Sequence, residues 1–182
     1  MSYRFRVAFF IHRIFFASNA IRHNRLKFVS NEPLRKFASG FPFVGNRLKR
    51  SDLGKRIGSQ CKAGDLILLN GPLGAGKTVL VQGIGDALGI GDVTSPTFVI
   101  SRIHKAPLPL IHVDAYRLLE GGKAALYFDD LDLDSPREGA VTVIEWGGAE
   151  SARLSDERLE IVIDRTEEIR EVSITLVGTR WQ

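Results

Sequence analysis

The stretch Gly71-Pro-Leu-Gly-Ala-Gly-Lys-Thr78 matches the phosphate-binding pattern G-x-x-x-x-G-K-[ST] at every fixed position. An apolar run before it, Asp65–Asn70, predicts a short buried strand, and Val79–Leu88 after it predicts a helix that ends at Gly89. Strand, glycine-rich loop and helix are the context in which this pattern cradles phosphate groups. Backbone N–H groups and the positive end of the helix dipole then face the phosphate oxygens. The stretch therefore predicts a nucleotide-binding loop.

The side chains of this loop have separate expected tasks. Lys77 is expected to reach the β- and γ-phosphates, and the Thr78 hydroxyl is expected to bind Mg²⁺. The residues predicted to bind ATP here are Gly71, Gly74, Ala75, Gly76, Lys77, Thr78 and Val79. A glycine-rich turn that holds no ligand is the alternative to this interpretation.

The composition is that of a soluble globular protein with one domain and a modest appendage. The chain has 182 residues, of which 44% are hydrophobic and 25% charged. Its one cysteine, Cys61, excludes an internal disulfide, which suits a reducing compartment. A helix is predicted over Ser51–Cys61, with Ser51 as its N-cap and Cys61 on its inner face.

The positive charge is concentrated at the start of the chain. The first 50 residues hold 11 Lys and Arg residues and a single acid, for a net charge of +10, whereas residues 51–182 carry −6. The acidic remainder lacks the basic surface of a strong nucleic-acid binder. The apolar runs near the N-terminus are interrupted by His12-Arg13 and are too short to span a membrane.

These observations predict two regions. Residues 1–40 are expected to form a basic, poorly ordered extension, and residues 41–182 are expected to form the domain that carries the phosphate loop. A cytoplasmic location is expected. An Arg-rich, acid-poor N-terminus also resembles an organellar targeting segment, so targeting by residues 1–30 is the alternative.

The remaining patterns predict an α/β fold. It is a three-layer P-loop NTPase fold around a mixed, mainly parallel sheet, with an antiparallel C-terminal strand pair. Apolar runs predict strands at Phe41–Val44, on an edge of the sheet, and at Val99–Ile103, Leu108–Val113 and Ala140–Ile144. Alternating polar and apolar residues predict the antiparallel pair, Arg158–Ile163 and Glu171–Leu176.

Two acids follow predicted central strands. Asp114 and Glu145 each come directly after a buried run, at the strand ends where ligands bind in open α/β sheets. Nucleotide hydrolysis needs an acid near the magnesium ion and a group that positions water. Each acid could instead be a helix cap or a solvated strand end, but two such acids beside a phosphate loop favour a role in the site.

Five motifs occur in a characteristic order and spacing: Gly64-Asp65, Gly74–Thr78, Thr94-Ser-Pro-Thr-Phe98, His112-Val-Asp-Ala-Tyr-Arg-Leu118 and Ile144-Glu-Trp-Gly147. In these motifs the chain resembles the TsaE family, also called YjeE, whose members are small bacterial P-loop ATPases needed to make threonylcarbamoyladenosine in tRNA. The resemblance covers about Ser51 to Gly178. The chain departs from the family pattern at Pro72, where Asp or Glu is usual, and in its basic N-terminal segment.

The resemblance implies roles for several residues. Glu145, with Thr78, looks like the magnesium ligand, and Asp114 looks like the catalytic group that orients or deprotonates water. Thr94–Phe98 corresponds to a switch loop that responds to the γ-phosphate, with Ser95, Pro96 and Thr97 at its centre. Trp146 and Arg170 look like further ATP-binding residues. Trp146 could equally be a core aromatic residue, and a structural role is favoured for His112.

The resemblance also implies a slow, Mg²⁺-dependent ATPase that acts on a complex of TsaD and TsaB and meets tRNA only through that complex. The sequence identifies no arginine finger within the chain, although Arg102 and Arg117 are possible, so acceleration by partners is expected. Two other functions stay open: a small-molecule kinase, and a binding module that responds to nucleotide without hydrolysis. A GTPase is disfavoured, because no N-K-x-D motif follows the phosphate loop and the D-x-x-G sequence Asp86–Gly89 lies in the predicted helix.

Overall fold

A computed structural model of the chain describes residues 43–45, 47–96, 99–120, 134–165 and 170–181. The predicted extension over residues 1–40 lies outside this range, and so do Thr97 and Phe98 of the predicted switch loop. Among the residues described, no helix is long and apolar enough to cross a membrane.

One mixed sheet organises the described part of the chain, in the spatial order β1-β7-β6-β2-β5-β4-β3. Its strands are β1 (Phe43–Gly45), β2 (Leu66–Asn70), β3 (Ser101–His104), β4 (Leu110–Asp114), β5 (Val141–Glu145), β6 (Arg158–Asp164) and β7 (Arg170–Val177). The neighbours β6, β2, β5 and β4 run parallel. At the outside, β7 and β3 pair antiparallel with β6 and β4, and β1 pairs with β7 at the edge. The predicted parallel centre, edge strand and antiparallel C-terminal pair are thereby confirmed.

Five helices are described around the sheet: α1 (Arg47–Gly58), α2 (Lys77–Ala87), α3 (Tyr116–Glu120), α4 (Asp134–Glu138) and α5 (Ala149–Ala152). Apolar residues from α1 and α2 form one core cluster with one face of the sheet, where Ile67 and Leu69 of β2 point. Leu66 and Leu68 of β2 point to the other face and belong to a second cluster. This alternation follows from the two-residue period of a strand, and it gives the predicted three-layer arrangement.

Helices α1 and α2 approach each other closely because glycine lies at their contact. A Cβ atom built on Gly54 of α1 would lie 3.0 Å from the Cα atom of Gly83 in α2, and it would collide with the carbonyl oxygen of Leu80. A Cβ on Gly83 would likewise meet the carbonyl oxygen of Ser51. Neither position has space for a larger residue, so this contact sets the distance between the two helices.

The predicted limits of several elements were wrong. Strand β4 begins at Leu110 rather than Leu108, and helix α2 begins at Lys77 rather than Val79. Helix α1 begins at Arg47, so Ser51 lies inside it rather than at its N-cap, and it ends at Gly58, before Cys61. Strand β3 begins at Ser101 rather than Val99. The N–H groups of Val99 and Ile100 both donate to the Pro96 carbonyl at 2.8 Å, which makes a tight turn before the strand can start.

Cys61 nevertheless packs against the core that α1 helps to form. Its thiol lies 3.3 Å from the Ile57 carbonyl oxygen. Burial, with a further contribution from the negative charge of Asp65, raises the pKa of the Cys61 thiol to about 12. The thiol therefore stays protonated at neutral pH.

An ion pair between Asp65 and Arg180 lies at the end of the sheet where β2 begins. Arg180 donates from Nε to Oδ1 of Asp65 at 2.8 Å and from Nη2 to Oδ2 at 2.7 Å. The same Nη2 is 2.7 Å from the Gln60 carbonyl oxygen, and the guanidinium stacks on the Trp181 ring. Asp65 is only 5% exposed. This contact fastens the C-terminal residues to the loop that leads into β2.

Candidate nucleotide-binding site

The predicted phosphate loop connects β2 to α2 at the end of the sheet opposite the ion pair of Asp65 and Arg180. Gly71 follows β2 directly, and Lys77 is the first residue of α2. Inside the loop, the Ala75 N–H group donates to the Pro72 carbonyl oxygen at 3.1 Å. The first turn of α2 holds Thr78 and Val79. The N–H groups of a first helical turn point toward the helix N-terminus, here the phosphate loop, and have no hydrogen-bond partner inside the helix. This is the predicted strand, loop and helix.

Lys77 is held at the start of the loop. Its ammonium group donates to the carbonyl oxygens of Gly71 at 2.8 Å and Pro72 at 3.2 Å. The residue is 5% exposed, and burial lowers the pKa of Lys77, although the carboxylates of Glu145 and Asp114 oppose that shift. The negative charge of these acids helps to keep a buried lysine protonated.

Trp146 covers this ammonium group. The Lys77 Nζ atom lies 3.7 Å from the centroid of the Trp146 ring, a cation–π contact. Trp146 has φ 63, an uncommon value for a residue other than glycine, and its N–H donates to the Leu69 carbonyl at 2.8 Å. Its ring also lies 5.0 Å from that of Tyr116. Trp146 therefore borders the site rather than belonging only to the core.

Glu145 joins the loop to the neighbouring strands. Its Oε1 atom accepts a hydrogen bond from the Thr78 hydroxyl at 3.0 Å and lies 2.9 Å from Nε2 of His112. Both Glu145 and His112 are buried. His112 was expected to have a structural role, and the structure places it in direct contact with a predicted site residue. The sequence held one signal for this contact: His112 lies two residues before Asp114, so both point to the same side of β4.

Asp114 ends β4 directly opposite Glu145 in the register of the parallel pair β4–β5. It is 6% exposed. Its Oδ1 atom accepts from the Tyr116 N–H at 3.2 Å, and its Oδ2 atom lies 3.5 Å from the Ser95 hydroxyl. The first described part of the predicted switch loop therefore lies against the predicted catalytic acid. Pro96 follows as a buried residue of the same loop.

Several arginines surround the site. Arg102 is exposed and donates to the Thr94 hydroxyl at the start of the predicted switch loop. Arg165, which follows β6, donates from Nη1 to the Leu73 carbonyl oxygen in the phosphate loop at 2.8 Å. Arg170 begins β7 opposite Gly45, at the end of the sheet where the phosphate loop lies, and its side chain is outside the described residues. Arg117 lies on the surface of α3.

The residues around Thr78 fit a magnesium ion. Mg²⁺ prefers oxygen ligands in an octahedron at about 2.0–2.1 Å, so adjacent ligands are about 2.9 Å apart. The separation of 3.0 Å between the Thr78 hydroxyl and Oε1 of Glu145 matches that spacing. The described residues contain no group of three or more His, Cys, Asp or Glu that could hold a metal ion alone. Mg²⁺ is usually bound through one or two carboxylates together with substrate phosphates and water, so this donor set suits it.

The structure thus brings together most of the predicted site. The phosphate loop, Asp114, Glu145, Ser95 and Trp146 lie at one end of the sheet, and Arg170 is there by its backbone. Arg165 and His112 were not predicted to contact the site.

Comparisons with known proteins show which family this chain resembles. The family model described as "Threonylcarbamoyl adenosine biosynthesis protein TsaE" matches residues 45–172. The tRNA threonylcarbamoyladenosine biosynthesis protein TsaE of Streptomyces coelicolor is 47% identical over 139 residues, which cover 71% of this chain and 92% of the relative. The protein of the same name from Bacillus subtilis is 38% identical over 134 residues, covering 71% and 81% of the two chains. The crystal structure of YdiB from Bacillus subtilis matches with a TM-score of 0.64 and 32% identity, over 78% of this chain and 88% of that one.

Proposed function

The chain belongs to the TsaE family of threonylcarbamoyl adenosine biosynthesis proteins, and from this premise we propose that it binds ATP with Mg²⁺ and hydrolyses it slowly in that pathway. One observation carries the proposal. Thr78 of the phosphate loop is hydrogen-bonded to Glu145, which ends a neighbouring strand beside Asp114. A hydroxyl, a magnesium-side acid and a second acid at one phosphate loop are the parts that nucleotide hydrolysis needs.

Each residue has a defined task in this proposal. Lys77 contacts the β- and γ-phosphates, while Thr78 and Glu145 hold the metal ion, with His112 fixing the Glu145 carboxylate. Held by the Thr78 and Glu145 side chains, a Mg²⁺ ion would supply positive charge that offsets the negative charge of the phosphates. Asp114 accepts a hydrogen bond from water and orients its oxygen toward the terminal phosphorus.

Partner proteins complete the proposed function. We infer that the chain acts on a complex of TsaD- and TsaB-type proteins in the cytoplasm and meets tRNA only through that complex. The net charge of −6 over residues 51–182 supports this division, because a strong nucleic-acid binder carries a basic surface. Hydrolysis by the isolated chain is expected to be slow, and contact with the partners is expected to accelerate it.

The test is phosphate release from Mg²⁺-ATP by the purified chain, alone and mixed with the TsaB–TsaD pair. The Lys77→Ala variant is the control. We expect slow release alone, a sharp rise on mixing, and no release with the control variant in either condition.

Other results would point to other functions. Bound ATP without phosphate release in either condition would favour a module whose docking responds to nucleotide, and Asp114 would then be a structural acid. Transfer of phosphate to a small molecule, with no free phosphate, would indicate a kinase.

A further inference from the structure

Arg165 reaches the phosphate loop from a distant part of the chain. It follows directly after β6, and its Nη1 atom donates to the Leu73 carbonyl oxygen at 2.8 Å across 92 residues of sequence. The same guanidinium lies beside Gly74, where φ is +73 and where a built Cβ atom would be 2.8 Å from Nη1. Glycine at position 74 therefore leaves the space that the guanidinium uses.

The point of contact is adjacent in sequence to the carbonyl groups that bind the Lys77 ammonium group. Lys77, the residue that reaches the β- and γ-phosphates in loops of this kind, bonds to the carbonyl oxygens of Gly71 and Pro72. Leu73 is the next residue along the loop, and it is 78% exposed at the loop rim. Arg165 therefore binds the residue that directly follows the two carbonyl groups bound by the Lys77 ammonium group.

The chemistry of the guanidinium suits a phosphate at this place. Arginine has five N–H donors in a rigid fork, and the bond to Leu73 uses one of them. Arg165 is exposed, so its remaining N–H groups can bind a ligand next to the loop, and no buried charge has to be accommodated. Arg50 also contacts the loop, at Gly76, but it is buried at 8% exposure. Arg102 bonds to Thr94 instead.

We propose that Arg165 binds the terminal phosphate of the nucleoside triphosphate from within the same chain. The proposal rests on the proposed function, since it needs a nucleotide in the phosphate loop. Arg165 donates hydrogen bonds and offsets negative charge on the terminal phosphate, and it transfers no proton and forms no covalent bond. It therefore lets the site distinguish a triphosphate from a diphosphate.

The experiment is calorimetric titration of the full chain with Mg²⁺-ADP and with a non-hydrolysable Mg²⁺-ATP analogue. The variants are Arg165→Ala and Arg165→Lys. Lys105→Ala is the matched control, because Lys105 is an exposed cation in the turn between β3 and β4, at the other end of the sheet. A thermal unfolding scan of each variant reports whether it is folded.

We expect Arg165→Ala to weaken binding of the ATP analogue about tenfold, since it removes a charge-assisted hydrogen bond to phosphate, and to leave ADP affinity within about twofold. Arg165→Lys should fall between wild type and Arg165→Ala, because lysine keeps the charge but loses the planar fork. Lys105→Ala should match wild type for both ligands.

The ratio of the two affinities decides the result. Equal weakening of ADP and the ATP analogue would mean that Arg165 only braces the loop, and unchanged affinities would mean that it has no part in binding. Either result overturns the proposal while leaving the nucleotide site intact. If the wild-type chain binds neither nucleotide, the proposed function fails, and this proposal fails with it.

Discussion

Both ends of the central sheet bury acidic side chains, and these acids have different partners at the two ends. At the start of β2, Asp65 receives two hydrogen bonds from the Arg180 guanidinium and a third from the Lys62 N–H at 2.7 Å. At the end of the adjacent strand β5, Glu145 accepts from the Thr78 hydroxyl and contacts an imidazole. The first acid is bonded to a full positive charge that the protein supplies itself.

This difference distinguishes a structural contact from the proposed binding site. The Asp65 carboxylate is paired with the Arg180 charge and accepts three hydrogen bonds within the fold, so it is not expected to bind a ligand. Glu145 lies opposite Asp114 in the strand register, and the charges of both acids act on Lys77. The described fold therefore places an acid paired with arginine at one end of the sheet and the two acids of the proposed site at the other.

The largest expected effect tests the binding end directly. Lys77→Ala should reduce ATP affinity about a thousandfold, because it removes a buried cation that contacts phosphate. Calorimetric titration with Mg²⁺-ATP measures the change, and a thermal unfolding scan shows whether the variant is folded. An unchanged affinity would refute the interpretation of Gly71–Thr78 as a phosphate loop.

Asp114→Asn should separate binding from chemistry. It keeps the size of the side chain but removes the charge that is proposed to orient water, so ATP affinity should stay close to wild type while turnover falls about a thousandfold. Single-turnover phosphate release, normalised to bound ATP, measures this. Lost binding with normal turnover per bound ATP would show that Asp114 does not position water.

Arg180→Ala tests how much the ion pair of Asp65 and Arg180 contributes to stability. It leaves Asp65 buried without its cation, so the free energy of unfolding should fall by about 3 kcal/mol. Urea denaturation measures the loss. The matched control is Arg153→Ala, which breaks an exposed pair with Glu150 and should cost less than about 1 kcal/mol.

The affinity of Arg180→Ala for ATP completes this test. At a temperature where the variant is folded, it should bind ATP as wild type does, because the ion pair lies at the other end of β2. Two results would contradict a purely structural role for the ion pair. One is an equal stability loss in Arg180→Ala and Arg153→Ala, and the other is weakened ATP binding by Arg180→Ala.

Glu145→Gln should raise the Mg²⁺ concentration needed for half-maximal ATP binding by about fiftyfold, because an amide is a poorer magnesium ligand than a carboxylate. Titration with Mg²⁺ at fixed ATP measures this. Nucleotide binding without the metal should change little. An unchanged magnesium titration would remove Glu145 from the proposed metal site.

His112→Phe should give a smaller change of the same kind, about tenfold in the Mg²⁺ requirement, because His112 acts through Glu145 rather than on the metal. The matched control is Thr142→Val, a buried substitution on the adjacent strand β5 that keeps the volume nearly constant. If His112→Phe lowers stability and leaves the magnesium titration as in the control, its role is structural only.

The parts of the molecule that could be predicted from sequence are those with a local pattern. The phosphate loop is eight consecutive residues, and Asp114 and Glu145 each end a short apolar run that predicts a strand. Their meeting follows from a general rule, since parallel strands end at the same edge of a sheet. The sequence was therefore sufficient to predict that the loop, Asp114 and Glu145 lie at the same edge of the sheet.

The remaining contacts have no local pattern. Arg165 meets Leu73 across 92 residues, and Arg180 meets Asp65 across 115. Such pairs depend on the register of β6 against β2 and of β7 against β6, which a single sequence does not specify. The start of β3 was misjudged for a different reason: backbone hydrogen bonds to Pro96 overrode the strand propensity of Val99 and Ile100.

The glycine contact between α1 and α2 restricts how this chain can vary. Gly54 and Gly83 lie away from the proposed ligands, yet any side chain there would push apart the helix that carries Lys77 and the helix that supports it. In a library of all single substitutions, these two positions should tolerate as few replacements as the phosphate loop itself. A map of mutational tolerance would therefore outline the support of the site as well as its chemistry.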